Sequence, residues 1–390
     1  MKPFLVLLAA LSLTASLAAQ TYVVAENEKT SGNSATVYSL NTTTGVTTAV
    51  KQLSTGGGGL GGGFFAGVTE AIAQNAKCVF IADTGTNDIA AFASPTYAKV
   101  GNYSNAALNW SASGAGGSIA LSPNGHFLYG SYSGSENIGA WKVASTCALT
   151  FVNSYTPSTG PDLFATLKVT PNGADLIVPS IDLSLATEFS INQTTGALTE
   201  ISNVSFASLA TCSNGCFPYG MDISGNSEAV VFGDPTTTNG GIYAMSANIS
   251  ATALSNPQAY TLTNTAGVEN STVPFYPAST YPTGIGPIAI GMSGYFNPIE
   301  NAGVVVANIN PTAGTLHVLS SSLFATPDSS CNGCTGSLRI HGALAVSAQI
   351  PNLINVYSIN PSTGAFTLLK SNVDSTATGL LSIDVYPNTR

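Results

Sequence analysis

One pattern recurs along the chain and leaves few folds open: a strand-like run, an Asn-x-x-x-Gly turn, and a second strand-like run. It reads VYSLNTTTGVTTAV at 37–50, EFSINQTTGALTEI at 188–201, VVANINPTAGTLHVL at 305–319 and NVYSINPSTGAFTLL at 355–369. A weaker copy without the Gly, AWKVASTCALTFV, spans 140–152. Apolar residues alternate on both sides of each turn, the period of a half-buried strand. The closing Gly supplies the positive φ that a tight hairpin needs. A second hairpin, built on Pro-Asn-Gly, precedes some of these copies, as in SIALSPNGHFLYGSY at 118–132 and LKVTPNGADLIVPS at 167–180. The two hairpins together make a four-stranded unit.

About seven such units follow one another at roughly 50-residue spacing. They fall near 22–52, 66–104, 116–156, 164–204, 218–262, 270–322 and 336–370, with the fifth and sixth diverging most. No helical period is visible. The predicted fold class is therefore all-β: a seven-bladed β-propeller of four-stranded blades. The chain ends predict how it closes. TYVVAEN at 21–27 reads as a second strand with no first, and LLSIDVYP at 380–387 as a first strand with no second. Joining them in one blade removes two exposed sheet edges, so residues 382–386 are expected to pair with 22–26.

Residues 1–19 combine Lys2, a short apolar core from Phe4 to Leu13 and small residues up to Ala19. That is the pattern of a signal peptide. It predicts an exported protein, secreted or periplasmic, with residues 20–390 as a single monomeric propeller domain. No later apolar run is long enough to span a bilayer. Charged residues make up 7% of the chain, the formal charge is −9, and Lys plus Arg number 10. Without a basic cluster, nucleic acid is excluded as a partner. Six cysteines in an exported chain favour disulfides. The expected pairs are Cys78 with Cys147, Cys212 with Cys216, and Cys331 with Cys334. A zinc site is disfavoured because the two short pairs come from non-neighbouring units.

The stretches IALSPNGHFLYGS, VTPNGADLIVPS and VYSINPSTGAFTLL resemble the repeats of the seven-bladed lactonase-type propellers. That family includes the propeller form of 6-phosphogluconolactonase and the fungal muconate-lactonising enzymes. Similar repeats occur in secreted and surface-layer propellers with no known catalysis. The resemblance covers essentially the whole mature chain. It implies lactone chemistry at the mouth of the central channel and a small-molecule or glycan ligand. No stretch matches a catalytic motif of the family, so no catalytic residue is carried over. Two functions stay open. One is a lactonase-like hydrolase or isomerase of a small lactone or acidic sugar. The other is a non-catalytic envelope protein that binds glycan or protein.

Candidate residues follow from repeat position. The loops between second and third strands carry Glu26, Asp83, Glu136, Asp182, Asp234 and Glu300, a carboxylate from nearly every unit on one face. They form either a ligand-contacting acidic rim or the ordinary polar loops of a charge-poor chain. The loops DTGTND (83–88) and DPTTTNGG (234–241) offer oxygen ligands for calcium but lack EF-hand spacing, so no cofactor or metal is expected. On the inner strands, Lys168 (TLKVTP), Asp222 (YGMDIS) and Arg339 (SLRIHG) share one repeat position. Facing the channel, the two cations would hold a carboxylate or phosphate, and Asp222 would act as base or orienter. Facing neighbouring blades, the three would be structural ion pairs. None of His126, His317 and His341 is well placed as a base. The run GGGGLGGG (56–63) lacks the Lys and helix of a phosphate loop and reads as a flexible connector.

Overall fold

The computed structural model describes residues 20–27, 29–59, 71–104, 117–131, 137–160, 166–212, 216–218, 220–234, 243–250, 252–261, 275–280, 287–292, 303–310, 315–323, 335–349, 351–360, 365–377, 379 and 382–387. Among them the chain forms an all-β propeller of four-stranded antiparallel blades; seven such sheets are present. Their inner strands are Ser382–Tyr386, Ile72–Gln74, Ile119–Leu121, Lys168–Val169, Gly220–Ile223, Phe275–Thr280 and Thr335–His341. Each lies beside the next in that order, and Thr335–His341 returns to Ser382–Tyr386. Blades are numbered below in the same order.

The first blade uses both chain ends. Ser382–Tyr386 pairs antiparallel with Thr21–Glu26, with Tyr22 opposite Tyr386 and Glu26 opposite Ser382. Ile383 and Val385 are buried there. His341, at the end of the seventh blade's inner strand, fastens the joint. Its Nδ1 lies 2.8 Å from the Pro387 carbonyl and its Nε2 3.2 Å from Thr21 Oγ1. A carbonyl only accepts, so Nδ1 carries the proton, and in the neutral ring Nε2 accepts from the Thr21 hydroxyl.

Local chemistry explains both hairpins. In the first-to-second turns a hydroxyl closes the loop. Ser122, Thr170 and Ser224 each accept a hydrogen bond from the backbone N–H five residues on, and each donates to the Asn two residues on at 2.7 Å. The Pro-Asn-Gly signature is thus a side-chain-closed turn. In the third-to-fourth turns, Asn41 Oδ1 accepts from the N–H groups of Thr43 and Thr44, and Asn192 Oδ1 does the same with Thr194 and Thr195. Gly45 and Gly196 end those turns at φ +72° and +76°.

All seven pairings of third with fourth strand carry a register shift at one repeat position. In five blades the residue just after it is aromatic: Tyr38, Phe92, Trp141, Phe189 and Tyr357. A bulge increases local twist, and repeating it turns each blade alike against its neighbour. Packing is between blades. One buried cluster runs from Phe127 and Tyr129 through Leu176 and Phe189 to Phe232 and Met245.

Cys78 and Cys147 are joined across the second and third blades, with their Cα atoms 5.5 Å apart. Cys212 and Cys216 form the second disulfide. Cys331 and Cys334 lie outside the described residues. The glycine run departs from expectation where it is described. Residues 56–59 are not a loose connector. Asn33 N donates to Gly57 O, Gly59 N to Lys29 O, and Gly85 N to Gly58 O. A Cβ on Gly58 would stand 2.3 Å from Thr30 O, and one on Gly85 2.4 Å from Gly59 O. Glycine is required there because two backbones touch.

Candidate functional site

A cavity of about 590 Å³ occupies the centre of the ring. Its wall runs from mid-height of the inner strands to the first-to-second turns, and residues of six blades reach it: Gln74, Ala120, Lys168, Gly225, Arg339 and Asp384 among them. Its described lining includes the first-to-second turns and none of the loops between second and third strands.

Lys168 and Asp222 meet across the fourth and fifth blades. Lys168 Nζ donates to Asp222 Oδ1 at 3.0 Å, with side-chain exposures of 6% and 0%. Asp222 Oδ1 also accepts from Ile223 N. Arg339 belongs to a second pair: its Nε lies 3.6 Å from Asp384 Oδ1 across the seventh and first blades. The three residues predicted to form one cluster are thus divided between two ion pairs. Lys168, Arg339 and Asp384 still line one cavity, while Asp222 stands behind Lys168. Asp384 escaped sequence reasoning, although its signal was present. SIDVYP (382–387) aligns with SIALSP (118–123), which puts Asp384 level with Ala120, Lys168, Asp222 and Arg339. At this level the fourth and fifth blades, and the seventh and first, carry opposite charges, so each of the four has a partner.

Of the carboxylates expected on the rim, Glu26 and Asp83 are fully buried in the joint between the first two blades. Asn33 Nδ2 bridges them, at 2.6 Å to Glu26 Oε1 and 2.9 Å to Asp83 Oδ1. Burial raises the Asp83 carboxyl to about 6, against the pull of its hydrogen bonds from Asn33 and Thr55. Asp182 is exposed in its turn. Asp234 ends the strand Ala229–Asp234, and its side chain lies outside what is described. Glu136 and Glu300 lie outside the described residues. Among the described residues no group of three acidic, histidine or cysteine side chains is arranged to hold a metal.

A second buried carboxyl pair was not foreseen. Glu188 lies between the fourth and fifth blades, at the position before the bulge where other blades carry Val37, Ala91, Ala140 and Val356. It is fully buried. Ser202 Oγ donates to its Oε2 at 3.1 Å and accepts from Leu254 N at 2.7 Å. Burial, and then the nearby Asp175, push Glu188 up to about 7. Asp175 is itself raised by burial.

Residues 71–212, covering the second to fourth blades, match the family described as lactonase, 7-bladed beta-propeller. Over that stretch the chain is similar to the lactonase-type β-propellers. No curated protein matches the sequence. Among solved structures, this propeller is similar to a 6-phosphogluconolactonase candidate from Bacteroides fragilis. The two share 16% identity over 95% of this chain and 99% of that one, with a TM-score of 0.67. It is also similar to a periplasmic gluconolactonase from Pseudomonas aeruginosa, at 12% identity over 95% and 100% of the two chains and a TM-score of 0.63. A functionally unknown protein from Desulfotomaculum acetoxidans shares 11% identity over 94% and 98%, with a TM-score of 0.59. At such identities the likeness is one of fold. Among the described residues no helix is long and apolar enough to cross a membrane.

Proposed function

We propose that the protein is an exported lactonase-like propeller that opens or closes the ring of a small lactone or acidic sugar in the central cavity. In this reading residues 1–19 are a cleaved leader and residues 20–390 one monomeric, seven-bladed ring. The observation that carries it is the cavity itself. Its volume suits a small-molecule site, typically about 300–1,000 Å³, and Lys168 and Arg339 both stand on its wall. The family match at 71–212 and the likeness to two gluconolactonase-type structures support it, and two disulfides suit an oxidising compartment.

Lys168 and Arg339 stabilise the oxyanion that forms when water adds to the lactone carbonyl. Asp384 takes the proton from that water. The ring C–O bond then breaks, and Asp384 returns that proton to the leaving ring oxygen, giving a hydroxyl. Asp222 orients Lys168 and does not touch substrate. Acidic side chains on the opposite face, Asp182 and Asp234 among them, would take part only in contacts outside this cavity.

The test is a panel of unphosphorylated aldonolactones assayed with wild type and Arg339→Ala. The expected result is turnover by wild type and a loss of at least about a hundredfold in kcat/KM, equivalent to about 2.7 kcal/mol of transition-state stabilisation. Equal rates for both would remove Arg339 from the site. A specific observation favours a second reading, a non-catalytic envelope protein that binds glycan or protein. Both cations already face carboxylates, and no histidine lines the cavity among the described residues. A wild type inert on the whole panel selects that reading.

A further inference from the structure

Beside the central cavity a groove of about 680 Å³ runs out over the turns of the second, third and fourth blades. Lys77, His126 and Lys142 line it. The whole chain has 10 Lys and Arg, 3 His and 19 acids. Three of the basic group nevertheless meet here, and no carboxylate lines the groove among the described residues. The ammonium groups of Lys77 and Lys142 make no hydrogen bond or ion pair among the described residues. Both side chains are exposed, so the groove presents two cations with no carboxylate beside them among the described residues.

The groove is rigid. The disulfide between Cys78 and Cys147 ties the two blades that carry the lysines. Lys77 N donates to Asn75 Oδ1 at 2.8 Å, and His126 N to Asn124 Oδ1 at 2.9 Å. Val143 N donates to His126 O at 2.8 Å, fixing the Lys142 strand to the His126 turn. The amides of Asn124 and Gln193 also line the groove. Asn75, Pro123 and Tyr386 belong to both its wall and that of the central cavity, so the two spaces are continuous.

We propose that this groove binds a carboxylate-bearing saccharide. The lysines and His126 take its carboxylates, Asn124 and Gln193 its hydroxyls, and Tyr386 and Pro123 the apolar face of a ring at the junction with the cavity. Amides and an aromatic ring in one groove suit a hydroxylated ring better than a bare ion. The proposal does not depend on lactone chemistry in the cavity.

The experiment is a calorimetric titration of the mature chain with trigalacturonate at low salt. Wild type is compared with the Lys77→Gln/Lys142→Gln double variant, whose changes fall on exposed side chains. The expected result is binding that weakens at least about tenfold in the double variant and on adding 0.5 M salt, since exposed charge pairs are screened. The fully methyl-esterified trimer should bind more weakly than the acid. No binding to wild type, or equal binding by the double variant, overturns the proposal. Inorganic phosphate bound as tightly as the trimer overturns the saccharide assignment. The double variant should keep the melting temperature of wild type and whatever lactone turnover wild type shows, so failure here is distinct from failure of the lactonase reading.

Discussion

Glu188 shows what one carboxyl costs when it takes the place of a valine. Its folded value of about 7 stands above the ordinary 4.5. Below about pH 4.5 it is protonated in both folded and unfolded chains, and its penalty is absent. As pH rises from there to 7 the unfolded chain releases the proton first, so stability falls, by on the order of 3 kcal/mol in all. Asp83, raised to about 6, acts in the same direction. His341 acts oppositely: burial lowers it, so stability is lost as pH falls below its unfolded value near 6.5. The Glu188→Gln variant isolates one contribution. Melting curves at pH 5 and pH 8 should show the wild type losing more stability than Glu188→Gln between the two; parallel losses would mean that Glu188 does not titrate in this window. Lys168 and Asp222 make the complementary case. Removing either alone strands a buried charge at a cost of about 3–5 kcal/mol, whereas Arg339→Ala leaves Asp384, which keeps 16% side-chain exposure at the cavity wall, so Arg339 is the better probe of activity.

The hairpins do two jobs at once, and glycine shows it. Gly196 closes the Asn192 turn at φ +76°, and a Cβ there would sit 2.3 Å from Phe127 Cδ1 in the neighbouring blade. Tyr129 donates its hydroxyl to Gly196 O from that same blade. Gly45 stands likewise against Leu369 and Lys370 of the seventh blade. Gly196→Ala therefore meets left-handed backbone strain and a steric clash together. Each costs about 1–2 kcal/mol or more, so chemical denaturation should show a loss of about 2–4 kcal/mol. A loss below about 1 kcal/mol would mean that the turn relaxes away from Phe127. The disulfide between Cys78 and Cys147 works at the same joints: it closes a span of 69 residues, worth about 4 kcal/mol in the chain-entropy account.

Closure holds the ring together. Ser382–Tyr386 buries Ile383 and Val385 and covers the edge of Thr21–Glu26. Burying two β-branched side chains contributes about 1.5–3 kcal/mol each, and the uncovered edge would invite pairing with other chains. A chain ending at residue 381 should lose about 3–6 kcal/mol and sediment partly as aggregate. A truncated chain that stays monomeric with an unchanged melting temperature would show that the C-terminal strand is dispensable. The same closure sets the site, since Asp384 and Tyr386 reach the cavity only because the last strand takes the inner place in the first blade.

Period and turn chemistry were legible in the residues alone, because alternation and Asn-Gly turns act over a few neighbours. The blades, the joined ends and two disulfides follow from them. The charged layer was half legible: alignment on the Pro-Asn turns picked out Lys168, Asp222 and Arg339, and the same alignment reaches Asp384. What alignment lacks is direction and partner. Whether a charge enters the channel or meets the next blade depends on the angle between sheets, which no repeat position encodes. Burial of Glu26, Asp83 and Glu188, the basic groove across three blades, and the lining of the cavity all arise from contacts between units far apart in the chain, and these exist only once the ring has closed.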